Sequence, residues 1–136
     1  MKILLATDGS ESSEAAIQAV ARRIDSKDAD VLVLEVVDEH GSEFGETPKR
    51  LFSHAEESVT RVAHTLRDAG FNVATRVVES EPRATILDLA SEWHADLIVL
   101  GSHGRKGLRR LLLGSVAYSV AKNAHCSVLI VRAEPA

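Results

Sequence analysis

The sequence predicts an α/β protein built on a mostly parallel sheet with helices on both faces. Five short apolar runs alternate with four longer segments of helical periodicity. The runs are rich in Leu, Val and Ile, as strands are when both faces of a sheet are covered. The resulting order, βαβαβαβαβ, favours parallel pairing because a helix separates each strand from the next. Right-handed crossovers restrict the topology further.

Strands and helices follow each other closely along the chain. The predicted strands cover 2–7, 31–37, 72–78, 96–100 and 126–131. Ser10 is a favoured N-cap for the first helix, Gly70 a natural stop for the second, and Pro82 suits the first turn of the third. The predicted helices cover about 11–24, 51–69, 82–93 and 114–123.

Composition narrows the classes of function. The length of 136 residues predicts a single domain over 1–136. The 16 Lys and Arg residues against 20 Asp and Glu residues give a net charge of −4, which disfavours nucleic acid and anionic membrane as partners. Cys126 is the one cysteine, so no internal disulfide can form. No apolar run reaches the roughly 18–20 residues of a membrane span. We expect a cytoplasmic protein.

One long polar stretch, 38–50, interrupts the regular pattern and contains two glycines and a proline. Irregular segments of this length in small domains are usually functional or disordered. Because it follows the second strand, it is expected at the carboxyl edge of the sheet, where open α/β sheets bind ligands. Whether it closes over a ligand is left open by the sequence.

Asp8 stands at the end of the first strand, followed by Gly9 and Ser10. A carboxylate at this position can face a ligand hydroxyl or a metal ion. Asp and Ser are also favoured helix caps. Both interpretations remain open from these residues alone.

Two glycine-bearing segments follow the fourth strand. In Gly101–Gly104, two glycines allow a tight turn that can point several N–H groups one way, although a plain turn is the alternative. Gly114–Val116 opens the fourth helix, where free N–H groups, a hydroxyl and the helix dipole together suit phosphate, although a serine cap is the alternative. All three segments meet at one crevice if the strand order is 3-2-1-4-5.

Signatures of the commonest nucleotide enzymes are absent from the sequence. It contains no Gly-x4-Gly-Lys-Ser/Thr, so it has no P-loop, and no Gly-x-Gly-x-x-Gly follows the first strand. No general base is placed beside the glycine segments, and no paired carboxylates suggest a metal site. We therefore expect no efficient catalytic turnover.

The glycine segments resemble a known family. The spacing Gly101-x2-Gly104-x9-Gly114-Ser115 is similar to the nucleotide-binding motif of the universal stress protein family. The similarity extends to the start, ILLATDGSESSEAA, to the middle, ADLIVLGSHGRKGLRRLLLGSVAYSVAKNA, and to the end, CSVLIVR. Ser80 and Ser127 depart from the pattern, at positions where many relatives have Gly and Pro.

This resemblance implies a three-layer α/β/α sandwich with an open five-stranded parallel sheet of order 3-2-1-4-5, a Rossmann-like adenine-nucleotide-binding fold. It implies a stress-response regulator that binds ATP with Mg²⁺, in which Val36 packs near the adenine and Asp8 lies nearest the metal or ribose. By matching position, the residues expected to bind the nucleotide are Ala6, Thr7, Asp8, Val36, Leu100, Gly101, Ser102, His103, Gly104, Arg105, Gly114, Ser115 and Val116.

The last predicted strand, 126–131, would form an apolar sheet edge in that order. Such an edge invites aggregation unless it is covered or paired, so we expect a homodimer through this strand. The resemblance implies the same dimer. Three alternatives remain: a slow ATPase or autophosphorylating enzyme acting through Ser102 or Ser115, a nucleotide-independent dimeric interaction module, and a protein that binds another adenine ligand such as cyclic AMP.

Overall fold

Strands and helices alternate along the whole computed structural model, which describes residues 1–38, 45–104 and 112–133. In chain order these residues form β1 (Lys2–Thr7), α1 (Glu11–Arg23), β2 (Asp30–Val37), α2 (Pro48–Asp68), β3 (Asn72–Glu79), α3 (Pro82–Trp93), β4 (Leu97–Gly101), α4 (Ser115–Asn123) and β5 (Ser127–Val131).

A five-stranded sheet of order β3-β2-β1-β4-β5 forms the centre of the fold. Each pair of neighbouring strands is parallel, and Ile3 of β1 lies opposite Val31 of β2 and Leu97 of β4. The predicted parallel α/β fold and its strand order are confirmed. The chain moves outward from β1 in one direction through β2 and β3, then crosses to β4 on the other side. A topological switch point therefore lies between β1 and β4.

Successive residues of β1 supply two separate cores. Ile3 and Leu5 pack with α1 and α2, whereas Leu4 packs with α3 and α4, and all three side chains are fully buried. This follows from the alternation of side chains along a strand. Because both faces are covered by helices, the central strands tolerate almost no polar side chains except at their ends. The polar residues that end β1 therefore meet solvent only at the edge of the sheet.

The prediction of an irregular segment over 38–50 was wrong at its end. Helix α2 begins at Pro48, because the Thr47 hydroxyl accepts a hydrogen bond from the Arg50 amide (3.2 Å) and proline suits the first turn. The apolar stripe of this helix begins one turn later, which hid its true start. Residues 39–44 of the predicted segment lie outside the described residues.

Other boundaries differ from the predictions by about one residue. Strand β4 covers Leu97–Gly101, and pairing begins at Leu97 because that residue lies opposite Ile3. Strand β5 begins at Ser127, after Cys126, and helix α4 begins at Ser115 with Gly114 as its N-cap. No helix in the described parts of the chain is both long and apolar enough to cross a membrane.

We expect Leu66→Ala to lower the free energy of unfolding by about 2–5 kcal/mol. Leu66 is fully buried between α2 and the sheet, so truncation leaves a cavity in the core. Urea denaturation measures the loss. Glu57→Ala, an exposed change on the same helix, should alter stability by no more than about 0.5 kcal/mol. Similar losses in both variants would contradict the assignment of the buried face.

Candidate functional site

A cavity opens at the carboxyl edge of the sheet, at the switch point between β1 and β4. Its volume of about 100 Å³ holds several water molecules, each of which needs roughly 10–15 Å³. The ends of β1, β2 and β4 and the first turns of α1, α3 and α4 contribute to it. Its lining consists of Ala6, Thr7, Asp8, Ser10, Ser13, Leu34, Val36, Pro82, Ile86, Leu100, Gly101, His103, Gly104 and Val116.

One side of the cavity is apolar. Leu34 and Val36 project from β2, Ile86 from α3, Leu100 from β4 and Val116 from α4. All five belong to the core between the sheet and α3 and α4 or pack against it. A slot of this kind favours a flat, weakly polar group over a charged one.

The opposite side is polar and is built by the turn from β1 into α1. Asp8 Oδ1 accepts a hydrogen bond from the Ser10 amide (2.9 Å), and the Asp8 amide donates to Ser13 Oγ (3.1 Å). Ser10 is the N-cap, since its hydroxyl accepts from the Ser13 amide (3.2 Å). Gly9 has a φ of +79°, which allows the turn. Ser10 therefore caps the helix, while Asp8 lines the cavity.

The segment Gly101–Gly104 rests directly on the first turn of α1. A Cβ at Gly101 would lie 2.6 Å from both the Ser12 carbonyl carbon and the Ser13 amide nitrogen. Ser12 Oγ donates to the His103 carbonyl oxygen (2.7 Å) and accepts from the His103 amide (3.2 Å). Ser12 is 5% exposed, so these hydrogen bonds are shielded from water. The first turn of α1 therefore fixes the position of Gly101–Gly104.

Gly114 brings the start of α4 against the same segment. Its amide donates to the Ser102 carbonyl oxygen (2.7 Å), and a Cβ there would lie 3.1 Å from His103 Cα. The Ser102 hydroxyl pairs with His103 Nδ1 (2.9 Å). The two glycine segments predicted to converge are therefore in direct contact.

Fewer amides of Gly101–Gly104 are available to a ligand than the sequence predicted. The Ser102 amide donates to the Val131 carbonyl oxygen (2.8 Å), and the His103 amide is used by Ser12. Among the described residues, the amides of Gly104, Ser115 and Val116 have no acceptor, and α4 has no side-chain cap. Amides without an acceptor therefore come from both segments together, not from the first alone.

Most of the predicted binding residues line the cavity. Ser102 and Gly114 are buried directly behind its wall, and Ser115 is exposed at the start of α4 without lining it. Arg105 lies outside the described residues. The predicted residues in the lining are Ala6, Thr7, Asp8, Val36, Leu100, Gly101, His103, Gly104 and Val116.

Five lining residues were not predicted from the sequence. Leu34 precedes Val36 by two positions on β2, so the alternation of a strand places both on one face. Pro82 and Ile86 lie on the first turns of α3, which begins at the same edge of the sheet. Ser10 and Ser13 belong to the capping turn of α1. Strand periodicity could have identified Leu34, whereas the others required the docking of the helices.

Glu81 fixes the start of α3 beside the cavity. Its carboxylate accepts hydrogen bonds from the Ala84 amide (2.9 Å) and from Arg83 Nε (2.7 Å). Burial acts to raise the pKa of Glu81, but the hydrogen bonds from Ala84 and Arg83 and the charge of Arg83 outweigh it, so the pKa lies below its usual value. The cap is therefore ionised at neutral pH and holds Pro82 in the cavity wall.

Thr7 contributes a polar group that suits a ligand. Thr7 is 6% exposed, and its Oγ1 has no hydrogen-bond partner among the described residues. A buried hydroxyl without a partner destabilises a fold by about 1–3 kcal/mol. A bound molecule or water that pairs with it would remove that cost.

Cysteine chemistry and a metal site made only of side chains find no support in the described residues. Burial and the charge of Asp96 raise the pKa of the Cys126 thiol above its usual value, so the thiol is protonated at neutral pH. Residues 1–38, 45–104 and 112–133 contain no group of three His, Cys, Asp or Glu side chains placed to hold a metal ion. The site is suited to binding through amides, hydroxyls and one carboxylate.

Fold and cavity together define a doubly wound parallel α/β protein with a cavity at its switch point. The sequence profile of the universal stress protein family matches residues 1–132. The chain belongs to the universal stress protein family, as its resemblance implied. Universal stress protein MJ0531 of Methanocaldococcus jannaschii is 36% identical over 140 aligned residues, which cover 96% of this chain and 81% of that protein.

Solved structures of relatives have the same fold. That of MJ0577, from the same organism, is similar with a TM-score of 0.88 at 34% identity, covering 99% of this chain and 97% of the other. A universal stress protein solved in complex with cAMP is similar with a TM-score of 0.75 at 26% identity, covering 98% of each chain.

We expect Gly101→Ala to destabilise the protein by about 3 kcal/mol, because the added methyl group would overlap the backbone of α1. Thermal or urea unfolding measures the loss. Gly45→Ala is the matched control: its φ of +83° is strained for alanine, but no atom lies within 4 Å of the new Cβ. That change should cost about 1 kcal/mol. Equal losses in the two variants would show that α1 does not pack against Gly101.

Proposed function

We propose that this protein binds ATP together with Mg²⁺ in the cavity at the switch point and acts as a nucleotide-dependent regulator of the stress response in the cytoplasm. The observation that carries the proposal is the contact between the two glycine segments, where the Gly114 amide donates to the Ser102 carbonyl (2.7 Å) beside an apolar slot. The relative solved in complex with cAMP supports an adenine ligand.

The adenine would occupy the apolar side of the cavity. Leu34, Val36 and Ile86 offer apolar contact area there. The volume of about 100 Å³ is well below the roughly 300–1,000 Å³ of pockets that enclose a whole ligand, so only part of a nucleotide would be enclosed. The phosphates would then extend toward the open side. The ribose would lie between these two parts, within reach of Asp8 and of the buried Thr7 hydroxyl.

Amides at the ends of two elements would hold the phosphates. The Gly104 amide follows β4, and the Ser115 and Val116 amides open α4, where the helix dipole favours negative charge. Ser115 adds an exposed hydroxyl at the same helix end. Arg105, outside the described residues, follows Gly104 directly in the chain and would add positive charge.

Asp8 is the residue we propose for Mg²⁺. Its Oδ1 is engaged by the Ser10 amide, whereas Oδ2 would lie 3.0 Å from a Cβ at Gly104 and so points to the glycine segment. One carboxylate fits Mg²⁺, which takes its remaining ligands from phosphate oxygens and water. When bound, the ion would neutralise part of the triphosphate charge.

Binding without efficient turnover is the activity that these groups favour. Ser102, one candidate for autophosphorylation, is 3% exposed. Its hydroxyl pairs with His103 Nδ1 (2.9 Å), so a phosphate donor reaches it poorly. Ser115 is exposed and remains the better acceptor if slow phosphorylation occurs. A regulator needs only that ligand-bound and ligand-free forms differ in their partners.

We also propose that two copies pair through β5. This strand is an edge of the sheet, and its side chains are only partly covered, with Leu129 39% exposed. Val128 and Ile130 pack on the core between the sheet and α3 and α4, while Val131 packs on the other core. Antiparallel pairing about a two-fold axis would give hydrogen-bond partners to the backbone groups of this edge strand and cover these side chains.

ATP with Mg²⁺ at about a hundredfold excess over Kd should stabilise the folded protein by about 2.7 kcal/mol and raise Tm by on the order of 10 °C. Gly114→Val should abolish the shift, because a branched Cβ 3.1 Å from His103 Cα forces the two glycine segments apart. Ala121→Val, an exposed change at the far end of the same helix, should keep it.

Differential scanning fluorimetry measures these shifts, and denaturation of the purified protein shows whether nucleotide is released. A larger shift in Tm with cAMP than with ATP would indicate that cAMP, and not ATP, is the ligand. Absence of any shift in Tm, with no nucleotide released, would contradict nucleotide binding. It would favour the alternative of a nucleotide-independent dimeric interaction module.

Leu129→Lys should convert the dimer to a monomer at micromolar concentration, since it places like charges close together across the paired strands. Light scattering measures the mass. Thr75→Lys is the matched control, because it adds the same charge to β3, the opposite edge of the sheet. A monomeric mass for the unmodified protein, or a dimer that only Thr75→Lys disrupts, would refute pairing through β5.

A further inference from the structure

Ser12 makes two hydrogen bonds to one residue that lies 91 positions away in the sequence. Its hydroxyl donates to the His103 carbonyl oxygen (2.7 Å) and accepts from the His103 amide (3.2 Å). Ser12 does not line the cavity, and its side chain is buried. The contact spans from the first turn of α1 to the segment after β4, so it is a tertiary interaction and not part of the helix cap, which Ser10 provides.

The hydrogen bond to the His103 carbonyl has a consequence for the next amide. The His103 carbonyl and the Gly104 amide belong to one planar trans peptide unit, so they point in opposite directions. Because the carbonyl is anchored to α1, the Gly104 N–H is directed away from α1. The Gly104 nitrogen lies 3.5 Å from the position of a Cβ at Gly114, which places it at the start of α4.

The Gly104 amide is also one that the fold itself leaves to a ligand. The amides of Ser102 and His103 are used by Val131 and Ser12, whereas among the described residues that of Gly104 has no acceptor. A hydrogen bond accepted by the carbonyl of a peptide unit also polarises the N–H of the same unit and strengthens it as a donor.

We infer that Ser12 is a positioning residue, which orients the His103–Gly104 peptide unit so that the Gly104 amide faces the phosphate groups of the nucleotide. This inference rests on the proposed binding of ATP. Ser12 lies outside the cavity but controls the affinity for phosphate, while the affinity for adenosine depends on the apolar slot and on Asp8. The expected signature is therefore selective for phosphate.

Calorimetric titration with ATP–Mg²⁺ and with adenosine tests this signature. Ser12→Ala should weaken ATP binding about tenfold, the effect of misplacing one charge-assisted hydrogen bond, and leave adenosine binding within about twofold. Ser12→Thr keeps the hydroxyl and should restore the affinity for ATP. In the ligand-free Ser12→Ala protein, the His103 amide should exchange its hydrogen faster, because its hydrogen bond to the Ser12 hydroxyl is lost.

Val62→Ala is the control for a general loss of stability. Val62 is fully buried on α2, away from the cavity, so this variant should have a lower Tm and unchanged affinities for both ligands. Equal weakening of ATP and adenosine by Ser12→Ala, or unchanged ATP binding in that variant, would overturn the positioning role. If the alanine variant does not fold, a folded Ser12→Thr protein that fails to bind ATP normally would overturn it.

The proposed function fails by a different result. Absence of binding of both ATP and adenosine to the unmodified protein would defeat the nucleotide site itself and, with it, the role of Ser12. Normal binding by the unmodified protein together with unselective effects of Ser12→Ala would defeat the role of Ser12 alone.

Discussion

The close packing of the first turn of α1 against the segment after β4 is the contact on which the cavity depends. Gly101 meets the backbone of Ser12 and Ser13 without room for a side chain, and Ser12 holds both backbone polar groups of His103. Without this contact, β1 and β4 would still pair, but the position of the Asp8 turn relative to Gly101–Gly104 would not be fixed. This packing fixes the direction of the backbone groups that face the cavity, and an amide can bind an anion well only if its direction is fixed.

Burial of the sheet on both faces confines polar chemistry to its edge. Helices cover both sides of β1, so its one hydroxyl is at Thr7, the last residue of the strand, and the Asp8 carboxylate follows directly after it. The crossover from α3 to β4 then places Leu100 and Gly101 beside them, at the switch point. Side chains of the core form the apolar side of the resulting cavity, and polar groups at the helix ends form the other side. A ligand with a flat base and a charged tail matches this division.

Fold and family could be predicted from the sequence because they depend on local and repeated signals. Apolar runs, caps and glycine stops gave the order of elements, and the glycine spacing from Gly101 to Ser115 indicated the family. The boundary at Pro48 was missed because the helix starts on polar residues, one turn before its buried stripe. Pro82 and Ile86 were missed for another reason. Their part in the cavity depends on how α3 docks against β2, which no local pattern encodes.

The sequence by itself determined the parallel α/β order, the two glycine segments and the position of Asp8. These features depend on hydrophobic periodicity and backbone freedom, which are properties of short stretches of consecutive residues. Only the tertiary structure decided which amides remain for a ligand. The Ser102 and His103 amides are taken by Val131 and Ser12, residues distant in the chain. A hydrogen bond between such residues depends on the docking of whole elements, and that is set by packing over the entire core.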